Sequence, residues 1–231
     1  MRLDRILANY GVASRTEANR LIRDGRVSAD GRALKDPSAH STPEVVLVDG
    51  EPIDHPVGVL VALHKPAGYV CSHDDREGPT AFSLLPDAWA RRSPRPETVG
   101  RLDRETSGLL LVVDDHDLLH RLTSPRHLVP KTYVATLARP VTAELLASFA
   151  SGTLVLRGED TPCTPAVAVV LAPDELTVEV TITEGRYHQV RRMFAACGNH
   201  VEALHRTAVG RCQLGDLAEG TWRDVAADEL A

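Results

Sequence analysis

Between Gly100 and Val113 the chain runs Gly-Arg-Leu-Asp-Arg-Glu-Thr-Ser-Gly-Leu-Leu-Leu-Val-Val, a charged turn bracketed by two glycines that passes directly into an apolar strand. The rest of the chain has to be organised around that strand. Asp103 lies in the turn, with Arg101 and Arg104 on either side. Adjacent cations favour the ionised form of a carboxylate, which makes Asp103 a candidate for chemistry. Asp and Gly are also ordinary turn formers, so on spacing alone a structural aspartate is the favoured reading.

With 231 residues the chain has room for one large domain, or for a large and a small one. A composition of 43% hydrophobic and 25% charged residues is that of a globular protein, and 4% aromatics makes base-stacking platforms sparse. No apolar run reaches membrane-spanning length, and Met1-Arg2-Leu3-Asp4-Arg5 lacks the apolar core of a signal peptide. Cys71, Cys163, Cys197 and Cys212 are widely spaced and read as free thiols, so a cytoplasmic protein without disulfides or zinc is expected. The net charge of −6 argues against indiscriminate nucleic-acid binding, but its distribution matters more. Residues 1–35 carry eight Arg or Lys against four Asp or Glu, whereas residues 36–58 carry five acids and no base. A basic N-terminal lobe on an acidic chain implies one charged binding face.

Leu3, Ile6 and Leu7 form a helical stripe over residues 2–9. Ser14-Arg15-Thr16-Glu17 is a capping box opening a second helix that buries Ala18, Leu21 and Ile22. Asp30-Gly31 marks a hairpin, and Val45–Val48 followed by Asp49-Gly50 a further strand and turn. Asp54–Gly58 reads as a linker, Val59–Leu63 as a strand, and residues 72–98, polar and proline-rich with Arg91, Arg92 and Arg95, as a long surface loop. Helices are expected at 118–122 and 142–150 and through the stretch carrying Val190 and Cys197, with strands at 130–137, near 153–156, 165–171 and 175–182. His116 and His120 lack a matching third ligand, and helix N-termini attract Asp in any case, so no metal is expected beside Asp114, Asp115 and Asp117. On a helix, Val190, Met193, Phe194 and Cys197 share the core stripe, Arg191 falls at its rim, and Arg192 points away.

The phrase G-R-L-D-x-x-T-S-G-L-L-L at 100–111 resembles the catalytic motif of the pseudouridine synthases, in the branch that modifies ribosomal RNA. The resemblance implies that Asp103 is the essential aspartate. It extends to Lys65-Pro66-x-Gly68, to Lys131-Thr132-Tyr133, to Glu184-Gly185-Arg186-Tyr187-His188-Gln189-Val190-Arg191-Arg192 and to the segment ending Leu204-His205-Arg206. It implies that Tyr133 stands beside the aspartate, that Arg191 pairs with it, and that Leu204 closes the uracil pocket. Arg101, Lys65, His188 and Arg206 are the further substrate contacts expected. Residues 1–55, with Val27-x-x-Asp30-Gly31, resemble the αL RNA-binding domain of a small-subunit ribosomal protein, which makes Arg5, Arg15, Arg20 and Arg23 phosphate contacts.

The expected fold is therefore α+β. An αL module and linker occupy 1–58, and a catalytic domain with a mixed, mostly antiparallel sheet occupies 59–231. Pseudouridine formation breaks a nitrogen glycosidic bond, turns the uracil and rejoins it through ring carbon five. No atoms enter or leave, so no cofactor is expected. Asp103 would act as a nucleophile at the sugar or as a base on it. The target has to leave its stack, which favours an unpaired region. His188 after Tyr187 leans toward the small-subunit enzymes, so the expected partner is small-subunit ribosomal RNA within an assembling ribonucleoprotein, bound by a monomer. A large-subunit enzyme and a non-catalytic assembly factor are the alternatives.

Overall fold

The computed structural model describes residues 1–230. Two helices open the chain, α1 (Leu3–Asn9) and α2 (Arg15–Arg23). The capping box is formed. Ser14 Oγ accepts from the Glu17 backbone N–H at 3.3 Å, and the Ser14 N–H donates back to the Glu17 carboxylate at 3.0 Å. Leu3, Ile6, Leu7, Ala18 and Ile22 are fully buried, packed on a four-stranded sheet of β1 (Val27–Ala29), β2 (Arg32–Ala33), β3 (Val46–Val48) and β4 (Glu51–Pro52) in the order β2-β1-β3-β4. Asp30-Gly31 and Asp49-Gly50 turn its two hairpins.

The remaining strands are β5 (Leu60–Lys65), β6 (Glu97–Thr98), β7 (Thr106–Val113), β8 (Lys131–Leu137), β9 (Val167–Val170), β10 (Thr177–Ile182), β11 (Val201–Val209), β12 (Cys212–Gln213) and β13 (Trp222–Asp224). They form one sheet in the order β13-β5-β7-β11-β8-β10-β9, with β6 on β7 and β12 on β11. Every pairing is antiparallel except β7 with β11. Helices α3 (His116–Thr123), α4 (Ala143–Ser151) and α5 (Gln189–Ala196) complete the chain. No helix among the described residues is long and apolar enough to cross a membrane. Leu109 through Val113 are all fully buried, with Leu110 and Val112 in one core cluster and Leu109, Leu111 and Val113 in another. An uninterrupted apolar run is what a strand covered on both faces requires. Residues 153–156, expected as a strand, contribute a single bridge between Val155 and Pro162.

Gly108 is where β7 and β11 approach most closely. Its φ is +108°, and a Cβ there would stand 2.2 Å from the Arg206 carbonyl oxygen and 2.6 Å from its nitrogen. Both neighbours are backbone and cannot rotate away. Gly108→Ala is expected to destabilise the protein by about 2–4 kcal/mol, read as a lower urea midpoint.

Residues 72–98 are not a free surface loop. They include two short 3₁₀ turns, Ala81–Leu84 and Asp87–Arg91, and bury Ala81, Leu85 and Trp89. Arg92, expected at the surface, is buried: its guanidinium pairs with Asp114 at 2.9 Å and donates to the carbonyls of Asp54 and His55, both at 3.1 Å. Asp114 in turn accepts from the Val59 N–H at 2.8 Å, leaving Asp115 to cap α3. The Asp54–Gly58 segment is thus tied down. His55 bridges Asp54 and Asp224 at 2.6 and 2.7 Å, and Trp89 Nε1 donates to Asp54 at 2.6 Å.

Candidate active site

The turn carrying Asp103 is held from below. The Arg104 carbonyl accepts from the Gly68 N–H at 2.8 Å and from Lys65 Nζ at 3.3 Å, and the Leu102 N–H donates to Cys71 Sγ at 3.4 Å. The Asp103 carbonyl accepts from the Thr106 N–H at 3.0 Å, which starts β7. Burial pushes the Cys71 thiol upward and the Lys65 ammonium downward from their ordinary ranges. Lys65 is completely buried, and its other donors go to the carbonyls of Pro66 at 2.7 Å and Tyr69 at 2.8 Å. It therefore cannot be the phosphate contact expected from sequence. It fastens the 66–69 turn to the Asp103 turn.

Beside that turn the sheet supplies a wall. Tyr133 on β8 stands opposite Arg206 on β11, while Leu204 pairs with Ala135 on β8 and with Thr106 on β7. Tyr133, Leu204 and Arg206 are all buried, and the Arg206 guanidinium lies 5.9 Å from the Tyr133 ring centre. Arg206 Nε donates to the Leu109 carbonyl at 2.7 Å, whereas its Nη2 and Thr106 Oγ1 have no partner in the protein. An exposed RNA contact is thus not its place; it underlies the tyrosine. The 184–189 turn closes the third side. Asp103, Tyr133, Leu204, Arg101, His188 and Arg206 line one cleft of about 640 Å³, a size that suits a small organic group.

The partner of Asp103 departs from expectation. Among the described residues the basic side chain against its carboxylate is His188, Nε2 to Oδ1 at 3.2 Å. Arg191 instead donates from Nη1 to the Val201 carbonyl at 2.9 Å, its Nη2 is buried without a partner, and it does not line the cleft. The cause is local. His188 adopts a left-handed conformation (φ 49°) as the residue before α5, which turns its ring to the aspartate, while burial of Gln189, Val190, Met193 and Phe194 directs Arg191 along the helix to β11.

Arg5, Arg15, Arg20 and Arg23 are all exposed, and Arg20 and Arg23 border a shallow depression on α2. They lie apart from the cleft.

Residues 59–196 match the family model of RNA pseudouridylate synthase, and residues 1–44 that of the S4 domain. The chain belongs to the RNA pseudouridine synthase family. It is 44% identical over 236 residues to the ribosomal small subunit pseudouridine synthase A of Escherichia coli (strain K12), covering 100% of this chain and 99% of the relative. Against the protein of that name from Pasteurella multocida (strain Pm70) it is 42% identical over 234 residues, covering 100% and 98%. A crystal structure of a pseudouridylate synthase superposes with a TM-score of 0.68 at 37% identity, covering 100% of this chain and 98% of that one.

In this pseudouridine synthase the cleft depends on a polar scaffold that the sequence reading passed over. Gln189 accepts from the Arg186 N–H at 2.8 Å and donates to Glu184 at 2.7 Å. Arg186 pairs with Glu184 at 3.3 Å, and Arg192 with Glu159 at 2.9 Å. Arg192 also donates to the Tyr187 carbonyl at 3.0 Å, so the helix face remote from the core stripe braces the turn carrying His188. Alternating acid and base in Glu184-Gly185-Arg186 was the available signal, but Glu159 lies 25 positions before Glu184 and only the fold brings it in. Lys131, at the cleft edge, has its ammonium pushed down by burial and then by Arg206.

Proposed function

We propose that this chain isomerises a uridine of small-subunit ribosomal RNA to pseudouridine, with Asp103 as the catalytic carboxylate. The observation that carries the reading is convergence: Asp103, Tyr133 and Leu204, from three separate stretches of sequence, line one cleft. A carboxylate at a sugar can form a covalent intermediate or remove a proton. Tyr133 offers an aromatic face for the base. Leu204, on the wall beside it, excludes the water that would hydrolyse a detached uracil. Residues 59–231 carry out the chemistry. Residues 1–58 hold the RNA, through phosphate contacts of Arg5, Arg15, Arg20 and Arg23. The small-subunit target rests on the full-length relatives that bear that name. A monomer acting in the cytoplasm on an assembling ribonucleoprotein accords with that target.

The test offers the purified protein both ribosomal RNAs, with and without their assembling proteins, and maps pseudouridine by carbodiimide-dependent reverse-transcription stops. One new stop in small-subunit RNA is expected. A stop confined to large-subunit RNA would keep the chemistry and overturn the target. Binding without any stop would make the protein an assembly factor.

A further inference from the structure

The chain has nine Phe, Trp and Tyr residues in all, and among the described residues Tyr187 is the aromatic ring left exposed, at 77%. It stands at the mouth of the cleft. Its ring stacks on the His188 imidazole, centres 3.8 Å apart and planes inclined by 17°. That covers one face of the tyrosine and leaves the other to solvent. The stack is anchored at both ends: His188 is paired with Asp103 at 3.2 Å, and the Tyr187 carbonyl accepts from Arg192 at 3.0 Å. The ring is thus held in place with its free side open to solvent, and a flat π-face takes a flat partner.

We propose that Tyr187, backed by His188, is a stacking platform for a second unpaired nucleobase, the neighbour of the uridine that enters the cleft. This rests on the reading of the cleft as a uridine site and adds to it a substrate feature: the target has an unpaired neighbour. Two observations favour a base over another ligand. The platform is continuous with the wall that holds Asp103, so a nucleotide in the cleft delivers its neighbour to the rim. Exposed Arg101 and Arg104 lie on the adjoining turn, where the connecting phosphate passes. Stacking of this kind tolerates any base, so the platform selects for unpaired structure, not for identity.

The experiment uses the full-length protein and a single-stranded RNA decamer with a central uridine flanked by 2-aminopurine, whose fluorescence is quenched on stacking. Wild-type protein is expected to quench the flanking base on one side. Tyr187→Leu should remove the quenching and weaken binding about tenfold or more. Tyr187→Phe, which keeps the ring, should restore both. Unfolding midpoints of the three proteins show whether the variants are folded. If Tyr187→Leu is folded and still quenches and binds like wild type, or if an abasic site at the quenched flank leaves wild-type affinity unchanged, the platform is wrong. Turnover on ribosomal RNA is measured separately. Wild-type quenching without any pseudouridine would overturn the proposed reaction and leave the platform standing.

Discussion

Asp103→Asn is expected to lower kcat by on the order of 10³-fold or more while leaving the affinity for ribosomal RNA within about threefold of wild type. Asparagine keeps the size of the side chain and its place 3.2 Å from His188 Nε2. It loses the charge and the nucleophilic oxygen that either route at the ribose requires. The backbone of the turn should hold, because its anchors are main-chain groups of Leu102, Asp103 and Arg104 and none involves the carboxylate. The measurement is single-turnover pseudouridine formation alongside filter binding. A variant that loses binding as severely as turnover would make the aspartate structural. Full activity in the variant would remove Asp103 from the chemistry.

What could be read from the sequence divides by the range of the forces involved. The capping box at Ser14 and Glu17, the Asp30-Gly31 hairpin and the apolar strand from Leu109 to Val113 are decided within a few residues, and all are present as expected. The grouping of Asp103, Tyr133 and Leu204 was legible only through resemblance, since no local rule brings β7, β8 and β11 side by side. Lys65, Arg92 and Arg206 were misplaced for one shared reason. A basic residue carries a prior for solvent, which only buried partners overturn. Those partners are the carbonyls of Pro66, Tyr69 and Arg104 for Lys65, the Asp114 carboxylate for Arg92 and the Leu109 carbonyl for Arg206. The Arg191 assignment failed more narrowly. Helical periodicity placed it at the rim correctly, but a left-handed residue at 188 gave the histidine the aspartate instead.

Arg92→Leu should cost about 3–5 kcal/mol of stability, because it strands the Asp114 carboxylate in the interior with its main counter-charge gone. The side chains of the pair are only 2% and 9% exposed, so solvent screens them little. Arg92 does more than neutralise Asp114. Its remaining donors bind the carbonyls of Asp54 and His55, and its guanidinium lies 4.8 Å from the ring centre of Tyr10, at the end of α1. The next residue, Ser93, donates its N–H to the Asn9 carbonyl at 2.8 Å. Gly11 packs so closely that a Cβ would sit 2.2 Å from the Ala88 carbonyl oxygen. One arginine thus joins the N-terminal helices, the 54–58 segment and the start of the residues after β7. In a cycle with Asp114→Asn, the second substitution should return about 1–2 kcal/mol of the loss, since a neutral amide is cheaper to bury than an unpaired carboxylate. Urea unfolding of the four proteins reads this directly, and strict additivity would show that the pair does not interact. The same break should raise KM for a full-length ribosomal RNA more than it lowers kcat at saturation. The exposed arginines of α2 are positioned by this junction, whereas Asp103, Tyr133 and Leu204 are held by their own turn and strands.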